Sequence, residues 1–247
     1  MCSVTYLPLP NNNFILTTNR DISIHRKPAT FPAVATTKNG KILFPKDGKA
    51  GGTWIGISEF SRAVVLLNGG FENHLPKPSY AKSRGIIVQE ILKIANAWVY
   101  LQEVVLTNIE PFTLLVMDWQ IEFQLWEFVW DGERKYLKEL DKNKPTIYSS
   151  STLYDTPMRQ KRESWFNDWL PKNPTYEQAD ILDFHESAGE GNPHESLFLN
   201  RGYMQTVSIT SIQKRGNLAT VLYHDTVVDS FNYQYFEFNN KKKLALI

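Results

Sequence analysis

The sequence is poor in cysteine, since Cys2 is the one cysteine among 247 residues. A single cysteine excludes an internal disulfide, so the fold has to rest on its core. No apolar run approaches the roughly 20 residues that a membrane-spanning helix requires. The N-terminus also lacks the basic segment and the long apolar segment of a secretory signal. We therefore expect a cytoplasmic protein with no membrane span.

An excess of charge of one sign is lacking as well. The chain has 27 Lys and Arg against 26 Asp and Glu, a formal net charge of +1, so it offers no electrostatic footprint for nucleic acid. The basic run at residues 241–243 is typical of a solvated tail. Apolar residues make up 42% of the chain and aromatic residues 13%, which predicts a packed core. The expected partner is a small-molecule substrate or ligand, and the oligomeric state is left open.

Hydrophobic periodicity predicts strands, helices, strands, helices and strands, in that order. The predicted strands cover residues 3–7, 14–18, 31–37, 53–57, 63–67, 112–117, 119–130, 206–212, 218–223 and 233–238. A helical stripe covers residues 84–99, with a second turn or helix that continues to Val105 as an open alternative. Two more helices are predicted to begin at residues 156 and 173, the first with Thr156 as its cap. Alternation slips at Trp126, which a bulge or a tight turn would explain. No linker interrupts this order, so we expect a single α+β domain over residues 1–247.

Cys2 directly follows the initiator Met1. Removal of Met1 would leave Cys2 with a thiol and a free α-amine, whose ordinary pKa values are about 8.5 and about 7.7–8.0. Because both values are close to neutrality, the amine can act as the base for the thiol of its own residue. This is the chemistry of an N-terminal nucleophile, which cleaves an amide through an acyl-enzyme. Taken alone, however, Cys2 is better explained as a small buried residue on an edge strand.

Two polar segments carry further candidates. A hairpin of the first two predicted strands would return Arg20 and Asp21 to a position beside Cys2. There Arg20 would favour the thiolate, and Asp21 would orient the α-ammonium. Asn68, which two glycines follow, can offer its side-chain amide and nearby backbone N–H groups to an oxyanion. Taken alone, the segment of Arg20 and Asp21 is better explained as a turn with a local ion pair, and the Asn68 segment is equally consistent with a plain turn.

Together these residues resemble the NRDE family, which includes the eukaryotic transport and Golgi organisation proteins. The matching motifs are Cys2, the triplet Asn19-Arg20-Asp21, GGTWIGI from Gly51, LLNG from Leu66, and Ser83-Arg84-Gly85. The start at Cys2 with a following Arg and Asp is also similar to the bile salt hydrolase and penicillin V acylase group of N-terminal nucleophile hydrolases. The resemblance implies an α+β fold, a four-layer αββα sandwich. It also implies catalytic roles for Cys2, Arg20, Asp21 and Asn68.

The same resemblance implies four substrate-binding residues: Asn19, Arg26, Trp54 and Ser151. The position of Arg26 is equally consistent with lining the mouth of the pocket and with an ordinary place on the protein surface. Three positions depart from the family pattern. Ile22 replaces the name-giving Glu, Ser151 is the closest match to an Asn that related hydrolases use in the oxyanion hole, and Thr206 stands where the family often has Arg. The nucleophile half of the expected site is therefore intact, and the other half is altered.

The leading hypothesis is a hydrolase that cleaves a linear amide bond of a small substrate. An alternative implied by the resemblance is a haem- or lipid-related binding or trafficking protein on the same fold, and a third is a degenerate enzyme with a structural role. The Trp-rich segment at residues 119–130 could stack on a planar ligand, but aromatic residues also favour strands. His185 and His194 lack the ligand spacing of a metal site, and residues 48–52 lack a phosphate-binding spacing. We therefore expect neither a metal nor a cofactor.

Overall fold

The computed structural model describes residues 3–238, which form two compact units. The first unit consists of residues 3–26 and 144–235, and the second of residues 27–143 and 236–238. In chain order the elements are β1 (Ser3–Leu9), β2 (Asn13–Ser23), β3 (Thr30–Thr37), β4 (Gly40–Lys46), β5 (Ile55–Ser58), β6 (Arg62–Asn68), α1 (Arg84–Lys93), α2 (Ala97–Glu103), β7 (Phe112–Asp118), β8 (Gln124–Trp130), β9 (Lys135–Glu139), β10 (Thr146–Ser149), α3 (Thr156–Trp169), a short 3-10 helix (Leu170–Lys172), α4 (Gln178–Ser187), β11 (Met204–Arg215), β12 (Leu218–Asp225) and β13 (Ser230–Glu237).

The first unit contains a six-stranded sheet in the order β10-β1-β2-β11-β12-β13, with antiparallel pairing between the strands that carry the candidate site. Helices α3 and α4 pack on it through Phe166 and Phe184, which share a buried cluster with Leu7 of β1 and Ile15 of β2. Burying a side chain of this size stabilises a fold by about 1.5–3 kcal/mol. This cluster therefore fixes the two helices on the β1–β2 hairpin, which carries the candidate site.

The predicted start of α3 is shifted by one residue. Asp155 is the N-cap, because its carboxylate accepts a 3.0 Å hydrogen bond from the backbone N–H of Met158. Thr156, which was the predicted cap, is the first residue inside the helix. An ionised carboxylate at this position also interacts favourably with the positive end of the helix dipole.

The second unit contains a seven-stranded antiparallel sheet in which the strands follow chain order from β3 to β9. The apolar runs that predicted β6 and β7 are buried. Arg62 begins β6 as a fully buried residue, and its guanidinium lies 2.7 Å from the Asp118 carboxylate. It also donates hydrogen bonds to the carbonyl groups of Ile91 and Ile94, at the end of α1.

The helical stripe predicted over residues 84–99 is divided between two helices, and the second agrees with the predicted second turn or helix up to Val105. α1 ends at Lys93, and α2 begins at Ala97, with Asn96 as a cap that accepts from the Val99 N–H at 3.0 Å. The helix is interrupted here because carbonyl groups at the end of α1 accept hydrogen bonds from Arg62, which lies on β6. An apolar stripe with helical spacing carries no signal of that distant contact.

Three further differences concern strands. β2 continues to Ser23, so the Asn19-Arg20-Asp21 triplet lies inside the strand rather than at its end. Trp126 lies inside β8 in an unbroken register with β7, so neither the bulge nor the tight turn occurs there. The alternation from Trp119 slips because residues 119–123 form the connection between the two strands. Strands β4, β9 and β10 were not predicted. Within residues 3–238 no helix is long and apolar enough to cross a membrane.

Candidate active site

The β1–β2 hairpin positions the candidate catalytic residues of the first unit. Its turn contains Asn11 and Asn12, both with positive φ (61° and 55°), and this conformation matches the strand twist in tight hairpins. The resulting register pairs Ser3 with Asn19. Arg20 and Asp21 follow on β2, and each is only 2% exposed. Cys2 lies outside the described residues, and it precedes Ser3 in the sequence.

The Asp21 carboxylate is held from two sides. The hydroxyl of Tyr154 donates to Oδ2 at 2.6 Å, and the hydroxyl of Thr206 donates to Oδ1, also at 2.6 Å. Thr206 in turn accepts a hydrogen bond from the backbone N–H of Leu199 at 2.8 Å. Such charge-assisted bonds fix the plane of the carboxylate. Thr206, which departs from the family pattern, is therefore a direct partner of Asp21.

An irregularity in the β2–β11 ladder lies opposite these residues. Asp21 pairs with Thr206 and Arg20 pairs with Ser208, so Val207 is an extra residue on β11. Bulges of this kind re-aim neighbouring side chains and are frequent beside active sites. The Arg20 charge reaches β12, two strands away in the sheet, where it opposes the rise that burial causes in the pKa of Tyr223.

Asn19 is fully buried, and its side chain links β2 to α4. Its amide nitrogen donates to the carbonyl of Leu197 at 2.8 Å, and its Oδ1 lies 2.5 Å from Nδ1 of His185. The other ring nitrogen of His185 lies 2.8 Å from the Thr5 hydroxyl. Burial, helped by the charge of Arg162, lowers the pKa of His185 to about 3, so the imidazole is neutral near pH 7. Substrate contact by Asn19 stays a prediction, because protein groups already engage its amide.

Two other predicted substrate-binding residues belong to the first unit. Ser151 is buried in the turn that follows β10. The last residue of β10, Ser149, pairs with Ser3, so Ser151 lies near the same end of the sheet as the start of β1. Arg26 is half-buried in the turn after β2, where its N–H donates to the carbonyl of Ser23 at 3.0 Å.

The second unit holds the remaining two candidates. Trp54 is 3% exposed and directly precedes β5. Asn68 is the last residue of β6, and Gly69 after it has a positive φ of 84°. The Gly69 N–H donates to the carbonyl of Pro111 at 3.0 Å. That N–H is therefore engaged, and an oxyanion role for the side-chain amide of Asn68 stays a prediction.

Sequence reasoning missed Tyr154 and Arg162. Arg162 is fully buried on α3, and its guanidinium carbon lies 3.5 Å from the centre of the Tyr154 ring. A signal for it existed, because Arg162 is four residues from both Met158 and Phe166 and so stands within the apolar stripe of the helix. Tyr154 had no such signal beyond its position next to the Asp155-Thr156-Pro157 motif.

Comparison with known proteins identifies the family and the fold. The family model described as Transport and Golgi organisation 2 matches residues 1–238. No curated protein matches the sequence. Among solved structures, the fold is similar to the Caenorhabditis elegans ortholog of N-acylethanolamine-hydrolyzing acid amidase. The TM-score is 0.60 at 12% identity, over 85% of this chain and 92% of that one.

A variant of the conjugated bile acid hydrolase from Clostridium perfringens is similar as well. Its TM-score is 0.58 at 10% identity, over 96% of this chain and 97% of that one. A second variant of the same hydrolase gives a TM-score of 0.55 at 9% identity. At this level of identity the likeness concerns the fold. The predicted α+β fold of N-terminal nucleophile hydrolase type is thereby confirmed.

Proposed function

We propose that this chain, which belongs to the Transport and Golgi organisation 2 family, is an amidohydrolase that cleaves a linear C–N bond with Cys2 as its N-terminal nucleophile. The observation that carries the proposal is the register of the β1–β2 hairpin. Ser3, the residue after Cys2, pairs with Asn19, and the buried Arg20 and Asp21 continue the same strand. A cation and an oriented carboxylate thus lie next to the start of the strand that Cys2 precedes.

The proposed reaction has two steps. The Cys2 thiolate adds to the substrate carbonyl, the C–N bond breaks, and the leaving amine takes a proton from the α-ammonium of Cys2. Water, deprotonated by the α-amine, then attacks the thioester and releases the carboxylic acid and the thiolate. Met1 has to be removed first, because a peptide-bonded nitrogen at Cys2 cannot accept the proton.

Arg20 and Asp21 have separate roles in this scheme. The charge of Arg20 favours the thiolate over the thiol. Asp21 accepts a hydrogen bond from the α-ammonium and holds it towards the thiol. The hydrogen bonds from Tyr154 and Thr206 hold the Asp21 carboxylate in place for this role.

The oxyanion of the tetrahedral intermediate needs donors of its own. We assign this role to the Ser151 hydroxyl, which belongs to the same unit as the start of β1. Removal of one such donor typically costs about 10²–10³ in rate. Arg26 of the first unit is expected to contact the rest of the substrate. The roles of Asn68 and Trp54, which belong to the second unit, stay predictions of the family resemblance.

The substrate class follows from the two similar hydrolases. Their names describe cleavage of an N-acylethanolamine and of a conjugated bile acid, and both are small molecules in which an acyl group is joined to an amine. We therefore expect this chain to act on an N-acylated amine rather than on a peptide.

The test is amine release from a panel of N-acylethanolamines, conjugated bile acids and N-acyl amino acids. Protein that lacks Met1 is compared with Cys2→Ala, and with a variant in which a Lys inserted before Cys2 blocks Met1 removal. Turnover of at least one substrate is expected in the processed protein and in neither variant. Turnover that persists in Cys2→Ala would overturn the proposal.

A further inference from the structure

We infer that Arg162 is a positioning residue for the nucleophile: its buried charge favours the Cys2 thiolate, and its hydrogen bond to Ser3 fixes the start of β1. This inference rests on the proposed role of Cys2. It assigns a function to a buried cation that the two-step reaction does not otherwise use.

The hydrogen bonds of Arg162 connect α3 to the start of β1. Nη1 donates to the hydroxyl of Ser3 at 2.6 Å, a bond between two fully buried residues. Nη2 donates to the backbone carbonyl groups of Glu195 and Ser196, at 3.1 and 2.9 Å. Each of these acceptors is neutral.

Arg162 forms no ion pair with a carboxylate of residues 3–238. Arg162 binds the backbone carbonyl of Glu195, but the carboxylate of that residue lies 2.7 Å from Nζ of Lys161. A buried charge is costly unless an opposite charge compensates it. The arrangement therefore leaves positive charge at the start of β1, where a further anion would be stabilised.

The charged and titratable groups around Arg162 support this reading. On α4, His185 is neutral near pH 7, since burial and Arg162 lower its pKa to about 3. The Tyr154 ring lies against the guanidinium, and its hydroxyl donates to Asp21, which supplies the carboxylate of this set. Arg201 is a second cation, 5.7 Å from the centre of the same ring, and Arg20 is a third on β2. Cations thus outnumber the carboxylate in this set.

Covalent geometry limits the distance to the thiol. Adjacent Cα atoms are about 3.8 Å apart, so a guanidinium bound to the Ser3 hydroxyl stays within about 12 Å of the sulfur of Cys2 in any rotamer. With an effective dielectric constant of about 20, one unit charge at that distance changes an acid–base equilibrium about tenfold. With Arg162 present, the midpoint of ionisation of the Cys2 thiol is therefore expected to be lower by about one pH unit.

The experiment is the pH dependence of carbamidomethylation, in which iodoacetamide labels the one thiol of the chain. Arg162→Met removes the charge, Arg162→Lys retains it, and Arg159→Met is the control on the same helix. We expect Arg162→Met to raise the midpoint by about one pH unit and to slow labelling at pH 7 about tenfold. The limiting rate at high pH should be unchanged, and Arg162→Lys should restore most of the difference.

A folded Arg162→Met variant with the midpoint of the wild type would overturn the inference and leave Arg162 as a clamp on residues 195–196. Where Arg162→Met does not fold, Ser3→Ala removes the acceptor that faces Nη1 and should raise the midpoint by part of a unit. An unchanged midpoint in that variant would also count against the role. Labelling needs no substrate. An absence of turnover on the amide substrates, which tests the proposed function, can therefore be told apart from an unchanged labelling midpoint, which tests the role of Arg162.

Discussion

The phenol of Tyr154 donates a 2.6 Å hydrogen bond to the Asp21 carboxylate, and both side chains are buried. Tyr154→Phe removes this donor without changing the shape of the ring. Because a buried charged acceptor loses a partner, we expect the free energy of unfolding to fall by about 1.5–3 kcal/mol. Urea denaturation measures the change. Tyr203→Phe, at a ring that is 65% exposed, should leave the free energy of unfolding unchanged. An equal loss in the two variants would contradict the hydrogen bond from Tyr154 to Asp21.

Thr206 is the second donor to Asp21, at 2.6 Å. Thr206→Val is close in volume but removes both this bond and the acceptor of the Leu199 N–H. We expect a loss of about 2–3 kcal/mol in the free energy of unfolding. The double variant with Tyr154→Phe should deviate from additivity by about 0.5 kcal/mol or more, since both donors serve one carboxylate. Additive effects in the cycle would mean that the two donors act independently. Thr175→Val, at an exposed position, is the matched control.

The buried imidazole of His185 makes stability depend on pH. Its pKa is about 3 in the folded chain and near 6.5 in the unfolded chain. Between these values the unfolded state binds more protons, so stability rises with pH and is lost as the pH falls below about 6.5. The contribution is about 1.4 kcal/mol per pH unit. Chemical denaturation at pH 4–7 should show a shallower slope for His185→Gln, while the exposed His194→Gln should retain the slope of the wild type. Identical slopes for His185→Gln and the wild type would contradict the account.

Gly52 and Gly85, which belong to two of the family motifs, meet in the second unit. A Cβ on Gly52 would lie 2.6 Å from the carbonyl carbon of Gly85, which is closer than real Cβ contacts come. Since backbone has to move, we expect Gly52→Ala to cost about 3 kcal/mol of unfolding free energy. Gly202→Ala is the control, because its Cβ meets nothing within 4 Å and only the left-handed backbone costs about 1 kcal/mol. Similar losses in thermal or urea melts would refute the close contact.

The parts of the fold that the sequence predicted are those with a strong local signal. Strands β6 and β7 are nearly continuous apolar runs, and their residues are buried. Strands β9 and β10 are polar and half-exposed, so no alternation identified them. The break between α1 and α2 depends on Arg62, which binds carbonyl groups about 30 residues away in the sequence. Such a contact has no local signature.

The candidate site was predictable to a similar extent. Arg20 and Asp21 were identified through a family resemblance and a hairpin, and the register agrees with that hairpin. Their strand was cut short, because Asn and Asp are typical of turns, whereas here buried partners satisfy the Asn19 and Asp21 side chains. Arg162 binds Ser3 across 159 residues of sequence. Only the folded chain reveals this pair.

The central claim is that Cys2 becomes acylated as an N-terminal residue. The most direct measurement is the mass of the N-terminal peptide from protein that is acid-quenched during turnover of an N-acylated amine. The account predicts a peptide that begins at Cys2, lacks Met1 and carries the acyl group of the substrate, and it predicts that hydroxylamine removes the acyl group. Turnover without acylation of that peptide, or turnover by protein that retains Met1, would contradict it.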